Sequence, residues 1–513
     1  MNNNDYAIEL VDVTKTFGEV VANDKVSLNV KKGEILALLG ENGSGKTTLM
    51  NMISGIYFPD EGNICINGEE AVITSPKDAF DYGIGMIHQH FKLVDVFTAA
   101  ENIVLGLSGS ANLNLKKVAD KICELTSKYG FELDPYKKIY EMSVSEKQTV
   151  EIVKMLYRGA GILILDEPTA VLTPQETEKL FSVMRNMKAD GKAIIIITHK
   201  LNEVLEISDR VAVLRKGAYV GCVDTKNATE ESLTELMVGE KISLDIDRCD
   251  PVNPTEKLNV SHLTCLNDEG IKALDDVSFT AYGGEILGIA GIAGSGQKEL
   301  LEVVAGLIKP EEGSSVLYTP SEGGEAQQLV GKDALQIKQL GVSLAFVPED
   351  RLGMGLVGSM GMTSNMLLRN YRDGNSFFTD TKRPKELAFD IKEKLDVKTP
   401  SINTPVRKLS GGNVQKVLVG REISLQPQVL MTAYAVRGLD INTSYAIYNI
   451  LNDEKKKGVA VIYVGEDLDV LLELCDRIMV MCDGKVSGIV DARTTTKEEI
   501  GRLMTYSGKE ADK

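Results

Sequence analysis

Two stretches of this chain lie over one another without a gap. Residues 20–45 read VVANDKVSLNVKKGEILALLGENGSG, and residues 271–296 read IKALDDVSFTAYGGEILGIAGIAGSG. Far downstream, EISDRVAVLRKG (206–217) matches ELCDRIMVMCDG (473–484) at nearly the same offset. Short periods build solenoids and propellers, whereas a repeat of roughly 240 residues copies a whole domain. The 513 residues therefore divide into two related domains, each large enough for a full core. The expected limits are 1–242 and 257–507, with a linker at 243–256 and a tail at 508–513. The joint lies in KISLDIDRCDPVNPTEK, whose prolines, charges and weak periodicity interrupt the pattern on either side.

Within each copy, short apolar runs alternate with helical patterns. EILALLG, GILILDEP and AIIIITH are unbroken aliphatic runs, as expected of strands buried on both faces of a mainly parallel sheet. Between about residues 90 and 160 the pattern turns helical: Val118, Ile122, Leu125 and Tyr129 recur at helical spacing. That stripe reads as a helix packing on its own core within a helical subdomain. The fold class is α/β, twice over.

Composition sets the outer bounds. With 43% hydrophobic and 26% charged residues, the chain reads as a soluble globular protein. A net charge of −17 argues against a nucleic-acid partner, because phosphate backbones are bound by Lys and Arg patches. Seven singly scattered cysteines imply reduced thiols rather than disulfides or zinc. No apolar run approaches the ~18 residues of a membrane span, and MNNNDYAIEL lacks the features of a signal peptide. The expected location is cytoplasmic, touching a membrane only through partners.

GENGSGKT, residues 40–47, fills every position of a phosphate-binding loop and follows a strand-like run. Its glycines let backbone N–H groups curl around phosphate oxygens, with the next helix adding its positive end. Lys46 can reach the β- and γ-phosphates, and the Thr47 hydroxyl can ligate Mg²⁺. ILILDEPTA then places Asp166 at the end of a buried strand, where a carboxylate is costly unless it serves a cation. The neighbouring Glu167 is placed to polarise an attacking water. IIITHK puts His199 at another strand end, and IGMIHQHF contains Gln89.

Together these residues resemble the ATP-binding cassette of ABC transporters, along nearly the whole chain, which implies tandem P-loop NTPase domains. The resemblance implies that Phe17 of KTFG stacks on adenine. Gly40, Asn42, Gly43, Ser44, Gly45, Lys46, Thr47 and Thr48 would hold ATP. Thr47, Gln89 and Asp166 would hold Mg²⁺, with Glu167, His199 and Gln89 catalytic. The family signature, L-S-G-G-Q, is matched by LSGGNVQK, residues 409–416, so that Ser410, Gly411 and Gly412 would complete the ATP site of the opposite cassette. Asp440 would stand on the loop that crosses to it.

The other composite site fails at each position. Gln297 and Lys298 stand where Lys46 and Thr47 stand, and Ala433 and Tyr434 where Asp166 and Glu167 stand. Glu349 replaces Gln89, and Glu466 replaces His199. Its signature is MSVSEKQ, where Val144 and Ser145 replace both glycines, and Thr173 stands where Asp440 does. Lys298 lies one position on from the lost lysine, turned about 100° around the helix. Such a site either binds ATP without cleaving it or is only a scaffold, alternatives the sequence leaves open.

Two cassettes in one chain, with GIAGSGQ and VPEDR in the second, resemble the importers of ribose, galactose and other monosaccharides. GIGMIHQHFKLV, ILILDEPTAVLTPQE, GIAGIAGSGQ and LVGSM look most like their nucleoside-importing branch. That branch implies two transmembrane permease subunits, an extracellular lipoprotein of the basic-membrane-protein type, and a peripheral place on the cytoplasmic face of the membrane. The chain departs from it at Ser145, usually glycine, and at AVRGLD, usually PTRGLD. A soluble tandem-cassette ATPase acting on ribosomes or DNA is the rival from another class. Such proteins usually keep both sites intact and carry a charged linker, a coiled coil or zinc cysteines. A non-hydrolytic binding module is a second rival, opposed by the intact Asp166–Glu167 pair.

Overall fold

The run Ile35–Leu39 contains only aliphatic side chains, and all five are buried. Ala193–Ile197 is buried along its whole length, and Ile162–Asp166 up to its final carboxylate. Strands of this kind can lie only in the middle of a sheet covered on both faces. They do so in a computed structural model that describes residues 5–18, 20–88, 91–107, 114–169, 172–198, 200–239, 246, 248–251, 254–267, 270–292, 294–320, 324–340, 342, 344–371 and 380–505.

The chain forms two units, Met1–Ser243 and Leu244–Lys513. In the first, the parallel strands run in the order Ile84–Ile87, Ile162–Asp166, Ala193–Ile197, Ile35–Leu39 and Arg210–Arg215. Antiparallel strands, chiefly Val20–Lys31, Tyr6–Phe17 and Glu61–Ile66, continue this sheet. The second unit repeats the order with Leu344–Val347, Val429–Ala433, Ala460–Val464, Ile286–Gly291 and Arg477–Cys482. In both units the strand before the glycine loop is flanked on both sides, and its carboxyl end opens where the strand order reverses. That is where α/β sheets take ligands.

The helices Ala99–Val104, Leu115–Tyr129 and Val144–Tyr157 form the helical subdomain of the first unit. Ile103, Val118, Ile122, Ile139 and Val153 share a core separate from that of the sheet. Val118, Ile122 and Tyr129 of the predicted stripe are buried and Leu125 is half-buried. Capping boxes fix two of the starts, Thr98 with Glu101 and Ser143 with Glu146. In the second unit, the described residues before the strand Thr255–Leu266 dock on that unit. Arg248 donates to the carbonyls of Leu472 and Cys475 at 2.9 and 2.5 Å. Lys455, buried against Asp476, donates to the carbonyl of Cys249.

Candidate functional site

The first glycine loop is held open by backbone geometry that only glycine adopts cheaply. Gly43 and Gly45 have φ of 81° and 97°. A Cβ at Gly45 would lie 2.3 Å from the carbonyl oxygen of Ala22 and 2.6 Å from Nδ2 of Asn23. The loop feeds the helix Lys46–Ile53, whose N-terminus has no side-chain cap. Its first N–H groups are therefore left for an anion. Ser44 Oγ is buried there without a hydrogen-bond partner, as is Oδ1 of Asn23, whose amide supports Gly45.

Lys46 is the cation of this cradle. It is buried, and its Nζ donates to the carbonyls of Gly40 at 2.6 Å and Glu41 at 3.0 Å. Burial pulls its pKa below the ordinary lysine value, opposed by Glu167, Asp166 and Glu41. An uncapped helix start, an orphaned hydroxyl and a buried ammonium suit a polyphosphate.

Asp166 ends its strand, and Glu167 follows with φ of 50°, its backbone N–H held by the Ile197 carbonyl at 2.8 Å. A left-handed non-glycine residue costs about 1–3 kcal/mol and persists where its surroundings over-determine it. Burial, then the adjacent Glu167 carboxylate, raises the Asp166 pKa, with Lys46 pulling the other way. Two carboxylates beside one ammonium call for a further cation. Among the described residues no cluster of three or more His, Cys, Asp or Glu makes an all-protein metal site. Mg²⁺ suits the set nonetheless, since it takes one or two carboxylates and draws its other ligands from phosphate and water. Thr47, exposed at the helix start, and Asp166 are the described residues that fit as its ligands.

A raised carboxylate pKa has a stability consequence. The folded state binds more protons than the unfolded state between the two pKa values, so stability falls as pH rises through that window. Asp166→Asn is therefore expected to raise the melting temperature of the nucleotide-free protein at neutral pH. The gain should shrink as the pH falls into the carboxylate range. Thermal melts at several pH values check this, and a gain that grows in acid would contradict it.

Phe17 is 45% exposed and meets the ring of Tyr57 edge to face, with centroids 5.2 Å apart. Tyr57 was not singled out by sequence, although GIYFPDEG offers it after the glycine-loop helix. Gln148 was also passed over; its amide donates to the Pro168 carbonyl at 2.7 Å, joining the signature helix to the Asp166–Glu167 loop. Gln89 and His199 lie outside the described residues.

The second glycine loop keeps its shape and loses its charge. Gly294 and Gly296 have φ of 91° and 94°. Gln297 is 2% exposed and donates to the Ile292 carbonyl at 3.1 Å, much as Lys46 donates within its own loop. Lys298 turns away to Glu302, 3.8 Å distant. Tyr434 retains the left-handed φ of Glu167, and its hydroxyl is pushed up to about 12 by burial and by Glu466 and Glu349.

The two signature helices differ at their starts. Ser410 caps Gly411–Ile423 and accepts from Nδ2 of Asn413 at 2.8 Å. A Cβ at Gly412 would lie 3.1 Å from Thr443 Oγ1 and 3.3 Å from Asp440 Oδ2, so glycine keeps this corner close-packed. At Ser143 the equivalent start is closed by Glu146, which accepts from the Ser143 N–H at 2.8 Å and from Lys137 at 2.7 Å. A carboxylate already seated there opposes a second anion. The Ser410 start carries no acidic residue in its first turn.

A phosphate-binding loop at the end of a central parallel strand, with a carboxylate pair at the end of another, defines a P-loop nucleoside triphosphatase, and the second unit repeats that fold without the carboxylate pair. The chain belongs to the ABC transporter family, whose model matches residues 23–170 and 274–432, and it is an ATP-binding cassette ATPase. It is 41% identical over 506 residues to the nucleoside import ATP-binding protein NupA of Lactococcus lactis, covering 98% of each chain. To the guanosine import ATP-binding protein NupO of Bacillus subtilis it is 40% identical over 515 residues, covering 99% of each. The glucose import ATP-binding protein TsgD13 of Haloferax volcanii is 38% identical over 537 residues, covering 98% of this chain and 96% of that one. No helix among the described residues is long and apolar enough to cross a membrane.

Proposed function

We propose that this chain is the ATP-hydrolysing subunit of a nucleoside importer. It works at the cytoplasmic face of the membrane with two permease subunits and an extracellular binding lipoprotein. The observation that carries the cargo is the 41% and 40% identity, along nearly the full length, to two proteins of nucleoside import. A monosaccharide cargo is the second reading, favoured by the 38% identity to a glucose import protein. Uptake decides between them. A strain deleted for this chain is expected to lose uptake of labelled nucleosides and keep that of ribose; the opposite pattern would move the cargo to the sugars.

Hydrolysis belongs to one site. The loop from Gly40 through Asn42, Gly43, Ser44 and Gly45 to Thr48 wraps the phosphates, and Phe17, beside Tyr57, holds adenine. Lys46 exchanges the carbonyls of Gly40 and Glu41 for β- and γ-phosphate oxygens. Thr47, Asp166 and Gln89 hold Mg²⁺, which when bound neutralises charge building on the phosphates. Glu167 accepts the proton of the attacking water, and His199 contacts the γ-phosphate. Ser410, Gly411 and Gly412 also serve ATP, at a helix start with no acidic first turn. The second glycine loop, with Gln297, Ala433 and Tyr434, does not hydrolyse ATP.

One permease subunit docks beside Gln89. Met86 and His88, just before it, line a cavity of about 230 Å³ with Ile56, Phe80 and Arg158. Its lining mixes apolar side chains with Lys92, Lys154, Arg158 and Glu151, which suits an amphipathic helix.

A further inference from the structure

The second unit keeps the three loops that surround the candidate ATP site of the first, and joins them with its own charge. Glu349 follows the strand Leu344–Val347, Tyr434 follows Val429–Ala433, and Glu466 follows Ala460–Val464, three neighbouring parallel strands. Arg437 reaches all three loops. Its Nη1 lies 2.5 Å from Glu349 Oε1, its Nε lies 3.3 Å from Glu466 Oε1, and its guanidinium carbon lies 5.8 Å from the Tyr434 ring centroid. Arg351, on the loop of Glu349, donates to the Arg437 carbonyl.

A planar fork with several donors is well suited to bridge two carboxylates while lying against an aromatic ring. The first unit has alanine, residue 170, at the matching position in the sequence. The second has lost two of the three oxygen donors for a metal, keeping only Glu349 in place of Gln89. Lys298 stands in place of Thr47, and Ala433, in place of Asp166, borders a cavity of about 240 Å³ lined also by Lys298, Glu302, Phe346 and Glu349.

We propose that Arg437 is a positioning residue that takes the part of metal and nucleotide in the second cassette, tying the Glu349, Tyr434 and Glu466 loops into one arrangement whether or not nucleotide is present. Nucleotide-driven rearrangement of these loops is then confined to the first cassette, and those of the second stay fixed. The proposal rests on the reading of the first cassette as the hydrolytic one.

Hydrogen exchange on the full chain in the Glu167→Gln background tests it. Mg-ATP is expected to slow exchange in the first glycine loop and around Asp166, and to leave the Glu349, Tyr434–Arg437 and Glu466 segments unchanged. Arg437→Met keeps the apolar stem and removes the charge. It should speed exchange in those three segments roughly two- to fivefold without nucleotide, with Arg437→Lys between the two. Raising NaCl from about 0.05 M to about 0.5 M should speed them in the parent but not in Arg437→Met. Glu349→Gln, a smaller change, should act in the same direction. Protection of the Glu349 segment by Mg-ATP in the parent, or an Arg437→Met that exchanges like the parent, overturns the proposal. Failure of Mg-ATP to protect the first glycine loop would instead overturn the ATP-site reading, while the nucleotide-free arms still judge Arg437.

Discussion

Glu167→Gln is expected to lower ATP turnover by about 100- to 10,000-fold, the usual worth of a general base. Tyr434→Phe, at the matching position of the second unit, should change it less than about threefold, because no base is lost there. The substitution is conservative in shape. Glutamine fills the same space, and the backbone N–H of residue 167 still donates to the Ile197 carbonyl, so the left-handed turn at φ 50° is kept. What disappears is the proton acceptor. A second effect follows from charge, since the Glu167 carboxylate helps raise the Asp166 pKa. Without it Asp166 ionises more readily, so metal and ATP binding should hold or strengthen while the chemical step fails. Phosphate release under single-turnover conditions, beside nucleotide binding, separates the two effects. Similar losses from both substitutions would mean that the second unit also hydrolyses ATP.

The parts of this molecule that sequence made legible are those in which one residue type answers one local demand. Unbroken aliphatic runs reported strands buried on both faces, and Ile35–Leu39, Ile162–Asp166 and Ala193–Ile197 are those strands. The loop glycines reported a backbone able to curl around phosphate, and those at 43, 45, 294 and 296 have positive φ. The 3.6-residue stripe of Val118, Ile122 and Tyr129 reported a buried helix face. Contacts between side chains on separate loops left no such trace. Arg437 and Glu349 are 88 residues apart, and neither periodicity nor spacing joins them. Read alone, Glu349 and Glu466 were simply replacements for lost groups; their shared partner appears only in three dimensions. Glu146 in MSVSEKQ forms a capping box with Ser143, a local motif, but that Lys137 also holds its carboxylate appears only in the fold. Arg248 and Lys455 were illegible for another reason. They fasten a charged, aperiodic stretch to the second unit through backbone carbonyls, which carry no sequence signal.

Lys46→Gln is expected to abolish stabilisation by nucleotide without costing the fold. The molecule contains the precedent, since Gln297 at the same place in the second loop is buried and satisfied by the Ile292 carbonyl. The sign for the nucleotide-free state follows from the lowered Lys46 pKa. The unfolded chain binds the extra proton more readily, so a charged Lys46 burdens the folded state at neutral pH and the burden lifts only as pH rises through the lysine range. Glutamine removes that burden, and the nucleotide-free melting temperature should stay level or rise. Binding should move the other way. At 100 times its dissociation constant a ligand stabilises by about 2.7 kcal/mol, which for a domain near 240 residues is roughly 5–10 °C. In the Glu167→Gln background, Mg-ATP should shift the first unit's transition by that amount, and adding Lys46→Gln should cut the shift to less than about 2 °C. A variant with an unchanged shift would take the ammonium out of the phosphate site. One that melts lower without nucleotide would show that its bonds to the Gly40 and Glu41 carbonyls outweigh the cost of burying the charge.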